Sequence, residues 1–212
     1  MHFTRGIILR VEDFRERDER VTLYTKDFGK VSVVAKGAKR IEAKLRGSLD
    51  IFNLVEITFV EGQNFNILTN VDLLTSFSSV TKNPHAYRSG ISVLKVVDYI
   101  FDENIKDEPF FEDLHYAVKR IDEYSLAEES LSRLYSWLLL KKFQMKILEN
   151  QGYESGVPVS GNSLTLLKML QGEEEVDGVK LSRGDLINIE SSFARIFSYI
   201  FNYKLHAWIP IT

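Results

Sequence analysis

Hydrophobic and polar positions alternate along the first 80 residues in short segments that are typical of β-strands. The predicted strands cover residues 6–11, 20–25, 31–35, 52–60 and 65–68, with apolar and β-branched residues prominent in each. Gly29 lies between the second and third strands, where a tight turn needs a residue that tolerates a positive φ. Five strands, with one irregular excursion between the third and fourth, predict a closed five-stranded barrel of the OB type.

The pattern becomes helical after Pro84. Apolar residues recur every three or four positions over 85–101, 109–124 and 126–150, and shorter or later helices are expected at 163–171 and from 182 to about 203. Ser182 and Asp185 form a capping-box pattern, and Gly152 follows the third helix where a left-handed cap belongs. The sequence therefore predicts an α+β protein, with a barrel domain over residues 1–80 and an α-helical domain over 81–212.

Composition narrows the class of protein. The 212 residues are 44% hydrophobic and 12% aromatic, as in a globular protein. The chain has no cysteine, which excludes disulfides, thiolate zinc sites and cysteine nucleophiles, and its four histidines lack metal-site spacing. Because neither a membrane-spanning run nor a signal peptide is visible, we expect a soluble, cytoplasmic protein.

No enzyme motif stands out. The sequence contains no phosphate-binding P-loop, no dinucleotide-binding glycine motif and no G-x-S-x-G nucleophile elbow. Its paired acidic residues fall in loops or at helix starts, where solvated charge is the ordinary role. We therefore expect a protein without catalytic activity, although an enzyme with an unrecognised site is the remote alternative.

Charge is distributed unevenly along the chain. The formal net charge is −3, yet residues 26–46 contain seven Lys or Arg residues against Asp27 and Glu42, a local net charge of +5. Such an excess indicates a polyanion-binding face, although a solvated surface has the same appearance. The candidate nucleic-acid contacts are Lys30, Lys36, Lys39, Arg40, Lys44 and Arg46, with Tyr24 and Phe28 as candidate base-stacking side chains.

Alternative interpretations exist for each of these features. The aromatic residues suit the barrel core equally well. Gly37 could bring backbone N–H groups close to a phosphate or simply end a strand in a turn. The basic face could also belong to an adaptor that binds RNA or an acidic protein partner.

A family resemblance is visible in the same residues. The segments 18–25 (DERVTLYT), 28–30 (FGK), 34–40 (VAKGAKR) and 49–52 (LDIF) resemble the bacterial RecO family of recombination mediators in DNA repair. The resemblance continues through 55–77, more loosely through the helices to 150–153, and again at 204–206. Taken together, the motifs extend over most of the chain.

The resemblance implies an N-terminal OB domain and a helical C-terminal domain that bind single- and double-stranded DNA at the nucleoid. RecO proteins anneal complementary strands and help to load the recombinase, with RecR and the acidic, apolar C-terminal tail of single-strand-binding protein as partners. Lys36, Lys39 and Arg40 match the basic motif of the family, and Lys30 matches its FGK segment. Lys44 and Arg46 are candidates on charge alone.

One departure from the family pattern concerns zinc. Many RecO proteins carry a four-cysteine zinc module after the long helix, whereas residues 154–162 are short and cysteine-free here. A module of that kind is excluded, and we expect no metal or other cofactor. Candidates for contact with the partner tail are Arg133, Lys141 and Lys142 on the third predicted helix, where ordinary surface charge is the alternative interpretation.

Overall fold

Five β-strands form the N-terminal part of the protein. The structure is a computed structural model that describes residues 1–39, 47–153, 182–206 and 208–210. The strands are β1 (His2–Phe14), β2 (Asp18–Thr25), β3 (Gly29–Ala35), β4 (Leu54–Val60) and β5 (Asn66–Thr75). All five predicted strands are present, and β1 and β5 extend beyond their predicted ends. The helical turn expected within residues 43–46 lies outside the described residues.

The strands close into a barrel in the order β1-β2-β3-β5-β4. The long strand β1 pairs with both β2 and β4. Gly6, for example, faces Thr25 of β2 and Val55 of β4. Closure comes from a short parallel pairing of β3 with β5, in which Val33 and Val34 face Asn66 and Ile67. A closed five-stranded barrel with this order is the OB-type fold that the sequence predicts.

Apolar side chains from all five strands fill the barrel. Thirteen buried residues form its core, including Ile8, Leu23, Val33 and Ile57, each at most 1% exposed. These positions follow the alternation visible in the sequence, since successive strand residues point to opposite faces. Complete burial of each such side chain stabilises the fold by roughly 1.5–3 kcal/mol.

The turn between β2 and β3 depends on Gly29. This residue has a φ of +64°, and a Cβ at its position would overlap the backbone of Ile105. The backbone N–H of Asn104 donates a 2.9 Å hydrogen bond to the carbonyl oxygen of Lys30, so the 101–107 loop lies directly against this turn. The predicted glycine turn is confirmed, and it also makes room for a neighbouring loop.

Four α-helices follow in the described part of the chain: α1 (Pro84–Ile100), α2 (Glu108–Ser125), α3 (Glu129–Asn150) and α4 (Arg183–Phe201). The Ser182–Asp185 capping box at the start of α4 is present, and Gly152 has the left-handed φ of +83°. The helix expected over 163–171 lies outside the described residues. No described helix combines the length and the apolar character that crossing a bilayer requires.

Helix α3 differs from its sequence prediction. The expected apolar face includes Leu131, which is 46% exposed, whereas Ser136, Lys141 and Gln144 are buried. Lys141 and Gln144 can be buried because their polar atoms pair inside the fold, where Lys141 Nζ lies 3.0 Å from Gln144 Oε1. Leu138, Met145 and Leu148 of the expected face are buried, so apolar spacing located part of the buried surface and missed its polar members.

The chain divides into two compact units. One consists of Met1–Ser78 with Val97–Lys119, and the other of Ser79–Val96 with Arg120–Thr212. The first unit thus contains the barrel together with the end of α1, the 101–107 loop and most of α2. The functional division of the chain at residue 80 stays a prediction.

Candidate nucleic-acid interface

Three connections of the barrel carry the side chains that suit a nucleic-acid ligand. They are residues 14–18 between β1 and β2, residues 36–39 after β3, and residues 61–66 between β4 and β5, and together they are called the loop end below. The first two are joined by hydrogen bonds from backbone N–H groups of the second. Gly37 N–H donates to Asp18 Oδ1 at 2.8 Å, and Lys39 N–H donates to the Arg17 carbonyl oxygen at 3.3 Å.

A cluster of phenylalanine and arginine side chains links the first and third connections. The rings of Phe14 and Phe65 meet edge to face with their centroids 5.5 Å apart. The guanidinium carbon of Arg15 lies 5.2 Å from the Phe14 ring centroid and 5.5 Å from that of Phe65, while Arg20 lies 4.6 Å from Phe14. Single-stranded nucleic acids bind proteins through this combination of aromatic surfaces and cations.

The backbone of Arg15 is part of this arrangement. Its φ of +60° is in the left-handed region, which residues other than glycine rarely occupy. The turn therefore directs an exposed arginine side chain over the two rings at some conformational cost. Strained residues of this kind cluster at functional sites, which makes Arg15 a candidate contact residue.

Lysines of the 36–39 connection occupy two different environments. Lys36 is exposed and has no ion-pair partner among the described residues. Lys39 is about one quarter exposed, and its Nζ lies 2.8 Å from Asp13 Oδ1 and 3.4 Å from the carbonyl oxygen of Arg15. Gly37 uses its N–H on Asp18, as in a strand-end turn, so this N–H is occupied by an internal acceptor. Lys36 is thus the more accessible of the two lysine charges.

Two other cations of the basic segment, residues 26–46, form ion pairs and hydrogen bonds within the first compact unit. Lys30 is 12% exposed, and its Nζ donates to the Asp98 carbonyl oxygen at 2.5 Å and lies 3.9 Å from the Asp98 carboxylate. Lys26 pairs with Glu108 at 3.2 Å and Glu112 at 3.4 Å, and its hydrogen bond with Glu108 raises the pKa of the ammonium. Acidic residues far along the sequence therefore neutralise part of the local charge excess.

The two stacking candidates pack inside the protein. Tyr24 is fully buried, with ring centroids of Phe101 and Phe110 at 5.5 and 5.3 Å, and burial raises the pKa of its hydroxyl. A base has no access to this ring, so we leave Tyr24 out of the interface. Phe28 is half-buried against Phe59 and His2, at 5.6 and 5.1 Å, and packs on the barrel core.

The remaining basic candidates of the N-terminal region are Arg40, Lys44 and Arg46, and they lie outside the described residues. The sequence also missed side chains that the fold brings together. Phe14 is the last residue of β1 and Phe65 directly precedes β5. They are 51 positions apart in the sequence, and only the barrel topology makes them neighbours. The available signal was their position beside hairpin connections, which are the connections that OB folds use for ligands.

The three candidates on α3 for contact with a partner tail differ in their accessibility. Lys141 is completely buried, where its Nζ lies 2.7 Å from Glu190 Oε2, and burial lowers the pKa of its ammonium. A partner cannot reach this charge, so Lys141 is a structural residue. Arg133 is mostly buried and lies 3.6 Å from Glu129, while Lys142 is half-buried. Partner contact at Arg133 and Lys142 stays a prediction.

Metal-ligating side chains do not converge in the part of the chain that the structure describes: no group of three or more His, Asp and Glu residues could hold an ion there.

Comparison with known proteins shows which family this chain is similar to. Residues 1–77 match the family model described as Recombination protein O N terminal. The chain is 26% identical over 140 residues to the DNA repair protein RecO of Listeria welshimeri, covering 66% of this chain and 54% of the relative. The N-terminal barrel of this chain is therefore similar to that of RecO proteins. The match with the family model covers the whole barrel, in agreement with the OB-type topology.

Other RecO relatives show the same partial coverage. The DNA repair protein RecO of Thermoanaerobacter sp. is 24% identical over 150 residues, covering 71% of this chain and 57% of the relative. That of Rhodopirellula baltica is 30% identical over 119 residues, covering 55% and 44%. The chain thus spans about half the length of the curated relatives it matches.

Proposed function

We propose that this chain belongs to the RecO family and is a non-enzymatic DNA-binding protein of DNA repair, and that DNA contacts the loop end of its barrel. Relatives that carry the name DNA repair protein RecO support the repair role. Such a role places the protein at the nucleoid in the cytoplasm.

The observation that carries the proposal is the cluster of Phe14, Phe65 and Arg15 beside the exposed Lys36 connection. Cations at the rim attract the phosphates, and each neutralised phosphate releases counterions, which makes the affinity dependent on salt. The phenylalanine rings offer apolar surface to unpaired bases, which stack on aromatic side chains without regard to sequence. The same loops provide both kinds of contact.

Strand annealing follows from this arrangement as part of the proposal. Cations that neutralise the backbones of two strands lower the repulsion between them, and bases outside the stacking surface stay free to pair. The family resemblance adds recombinase loading, with RecR and the tail of single-strand-binding protein as partners. Arg133 and Lys142 are the residues to test for contact with that tail.

The proposal is tested by fluorescence anisotropy of a labelled single-stranded oligonucleotide over a series of salt concentrations. The test variant combines Arg15→Ala, Arg17→Ala and Lys36→Ala, three exposed cations of the loop end. The control combines changes to alanine at three exposed cations elsewhere, Lys95, Arg195 and Lys204, so that the net charge changes equally.

We expect the loop-end variant to bind less tightly and with a salt slope smaller by up to about 2, since each lost contact with a single strand removes about 0.7. The control keeps the slope of the unaltered protein. Equal losses in the two variants would contradict binding at the loop end. Saturable binding of RNA or an acidic protein, without binding of DNA, would favour the adaptor function instead.

A further inference from the structure

A polar groove of about 520 Å³ opens between β3 and the β4–β5 connection, inside the first compact unit. Its lining includes Arg20, Ser32, Glu61, Asn64, Phe65 and Glu103. The groove lies where β3 and β5 share only two residue pairs, so the short closure of the barrel leaves the space open. This volume is in the range of sites for small organic groups.

The charges of the groove disfavour a phosphate. Two carboxylates, Glu61 and Glu103, line it together with a single cation, Arg20, whose guanidinium lies over the Phe14 ring. An anionic occupant would face a lining of net negative charge, which repels it. A neutral group that donates hydrogen bonds suits the lining better.

Two carboxylates supply hydrogen-bond acceptors to the groove. Glu103 accepts a 2.6 Å hydrogen bond from the Ser32 hydroxyl, and Asn66 donates its amide N–H to the Ser32 carbonyl oxygen at 3.3 Å. Glu61 is bonded through Oε1 to His2 at 3.0 Å. Each carboxylate is thus positioned by one internal partner, and each has further lone pairs with which to accept from a ligand.

We infer that this groove holds an unpaired nucleobase with an exocyclic amine, stacked on Phe65 with its amine directed to the carboxylates. The inference rests on the proposed function and names the part of the DNA that this site recognises. The Arg15 and Lys36 side of the loop end then holds the phosphates, while the base turns into the groove. Carboxylates are the side chains that accept from the N4 amine of cytosine, whereas thymine offers a carbonyl oxygen at the same position.

Recognition of this kind predicts a base preference that charge alone cannot produce. Cytosine and thymine are pyrimidines of similar size that differ at position 4, where cytosine has the amine and thymine has a carbonyl oxygen, so comparing their binding tests for recognition of the amine. We expect oligo(dC) to bind at least about fivefold more tightly than oligo(dT) of equal length and at equal salt. Duplex DNA should gain no affinity from the groove, because its exocyclic amines are already hydrogen-bonded in base pairs.

The experiment measures anisotropy with labelled oligo(dC) and oligo(dT) of about 12 nucleotides, within the usual site size of an OB fold, on the full chain at pH 8. Phe65→Ala is expected to weaken the binding of both oligonucleotides by about fivefold or more, because stacking on the ring is lost. Phe3→Ala is the matched control, because Phe3 is 62% exposed on β1 and does not line the groove. The double variant Glu61→Gln with Glu103→Gln replaces acceptors by amides and should bring the dC to dT ratio close to one.

The outcomes separate this inference from the proposed function. Equal binding of dC and dT by the unaltered protein, or an unchanged preference in the double glutamine variant, would overturn the groove assignment. The proposed function would survive that result if the salt slope still depended on Arg15, Arg17 and Lys36. If Phe65→Ala disrupts the fold, as urea denaturation would show, the glutamine variant alone decides. Absence of DNA binding at low salt would remove both proposals.

Discussion

Within the basic segment, Lys30 and Lys36 have different roles: Lys30 stabilises the fold, whereas Lys36 is free to contact DNA. We predict that Lys30→Met destabilises the folded protein and leaves DNA binding intact. Lys30 is 12% exposed and donates to the Asp98 carbonyl oxygen at 2.5 Å. Methionine keeps much of the aliphatic length but removes the ammonium group, so the carbonyl oxygen loses its donor.

The magnitude follows from these contacts. A hydrogen bond that involves a charged group contributes about 1.5–3 kcal/mol. The additional pairing with the Asp98 carboxylate at 3.9 Å is partly screened and adds at most about 1 kcal/mol. We therefore expect the free energy of unfolding to fall by about 2 kcal/mol, which lowers the Tm of a chain of this length by roughly 4–8 °C.

Urea denaturation and the salt slope of DNA binding measure the two effects separately. Lys36→Met is the matched control, because Lys36 is an exposed lysine in the same segment. It should leave the free energy of unfolding unchanged within about 0.5 kcal/mol and reduce the salt slope by about 0.7. A Lys30→Met variant of unchanged stability with a reduced slope would refute the structural role of Lys30.

Three further predictions concern stability. Glu190→Gln should cost about 3–5 kcal/mol, because Lys141 would be left buried without its counter-ion. Lys141→Met with Glu190→Leu should cost less, about 1–3 kcal/mol, because only the buried Gln144 amide then loses its partner. Urea denaturation followed by tryptophan fluorescence compares the two variants. Burial lowers the pKa of Lys141 in the folded chain, so between that value and the ordinary 10.5 the unfolded chain binds more protons and stability should rise with pH. Lys141→Met should abolish this contribution in the same titration, and an unchanged pH profile would contradict it. Gly29→Ala should cost at least about 2 kcal/mol through its positive φ and its contact with the 101–107 loop, and a melting curve equal to that of the unaltered protein would show the turn to be tolerant.

The barrel could be predicted from the sequence because its signals are local. Alternation along 20–25 and the glycine turn at Gly29 each act over a few residues, and the structure has the strand and the turn, although 21–25 are buried on both faces. The burial of Lys141 could not be predicted in this way. A lysine on a helix is ordinarily at the surface, and Glu190, which makes its burial possible, lies 49 positions away in the sequence.

The candidate site was predictable only in part for a related reason. The charge excess of residues 26–46 is visible in the sequence, but the acids that neutralise Lys26 and Lys30 come from α1 and α2. Likewise, Phe14 and Phe65 become neighbours only when the barrel closes. Net charge within a sequence window therefore located the region, and tertiary contacts decide which of its side chains remain accessible.

The most direct test of binding at the loop end is photochemical crosslinking. A single-stranded oligonucleotide with 5-iododeoxyuridine at one internal position would be crosslinked to the full chain, and the modified peptide would be identified by mass spectrometry. Crosslinks at Phe14 or Phe65, reduced by excess unlabelled DNA, are the result that the proposed interface predicts. Competable crosslinks confined to α3 and α4, with none in the barrel, would contradict it.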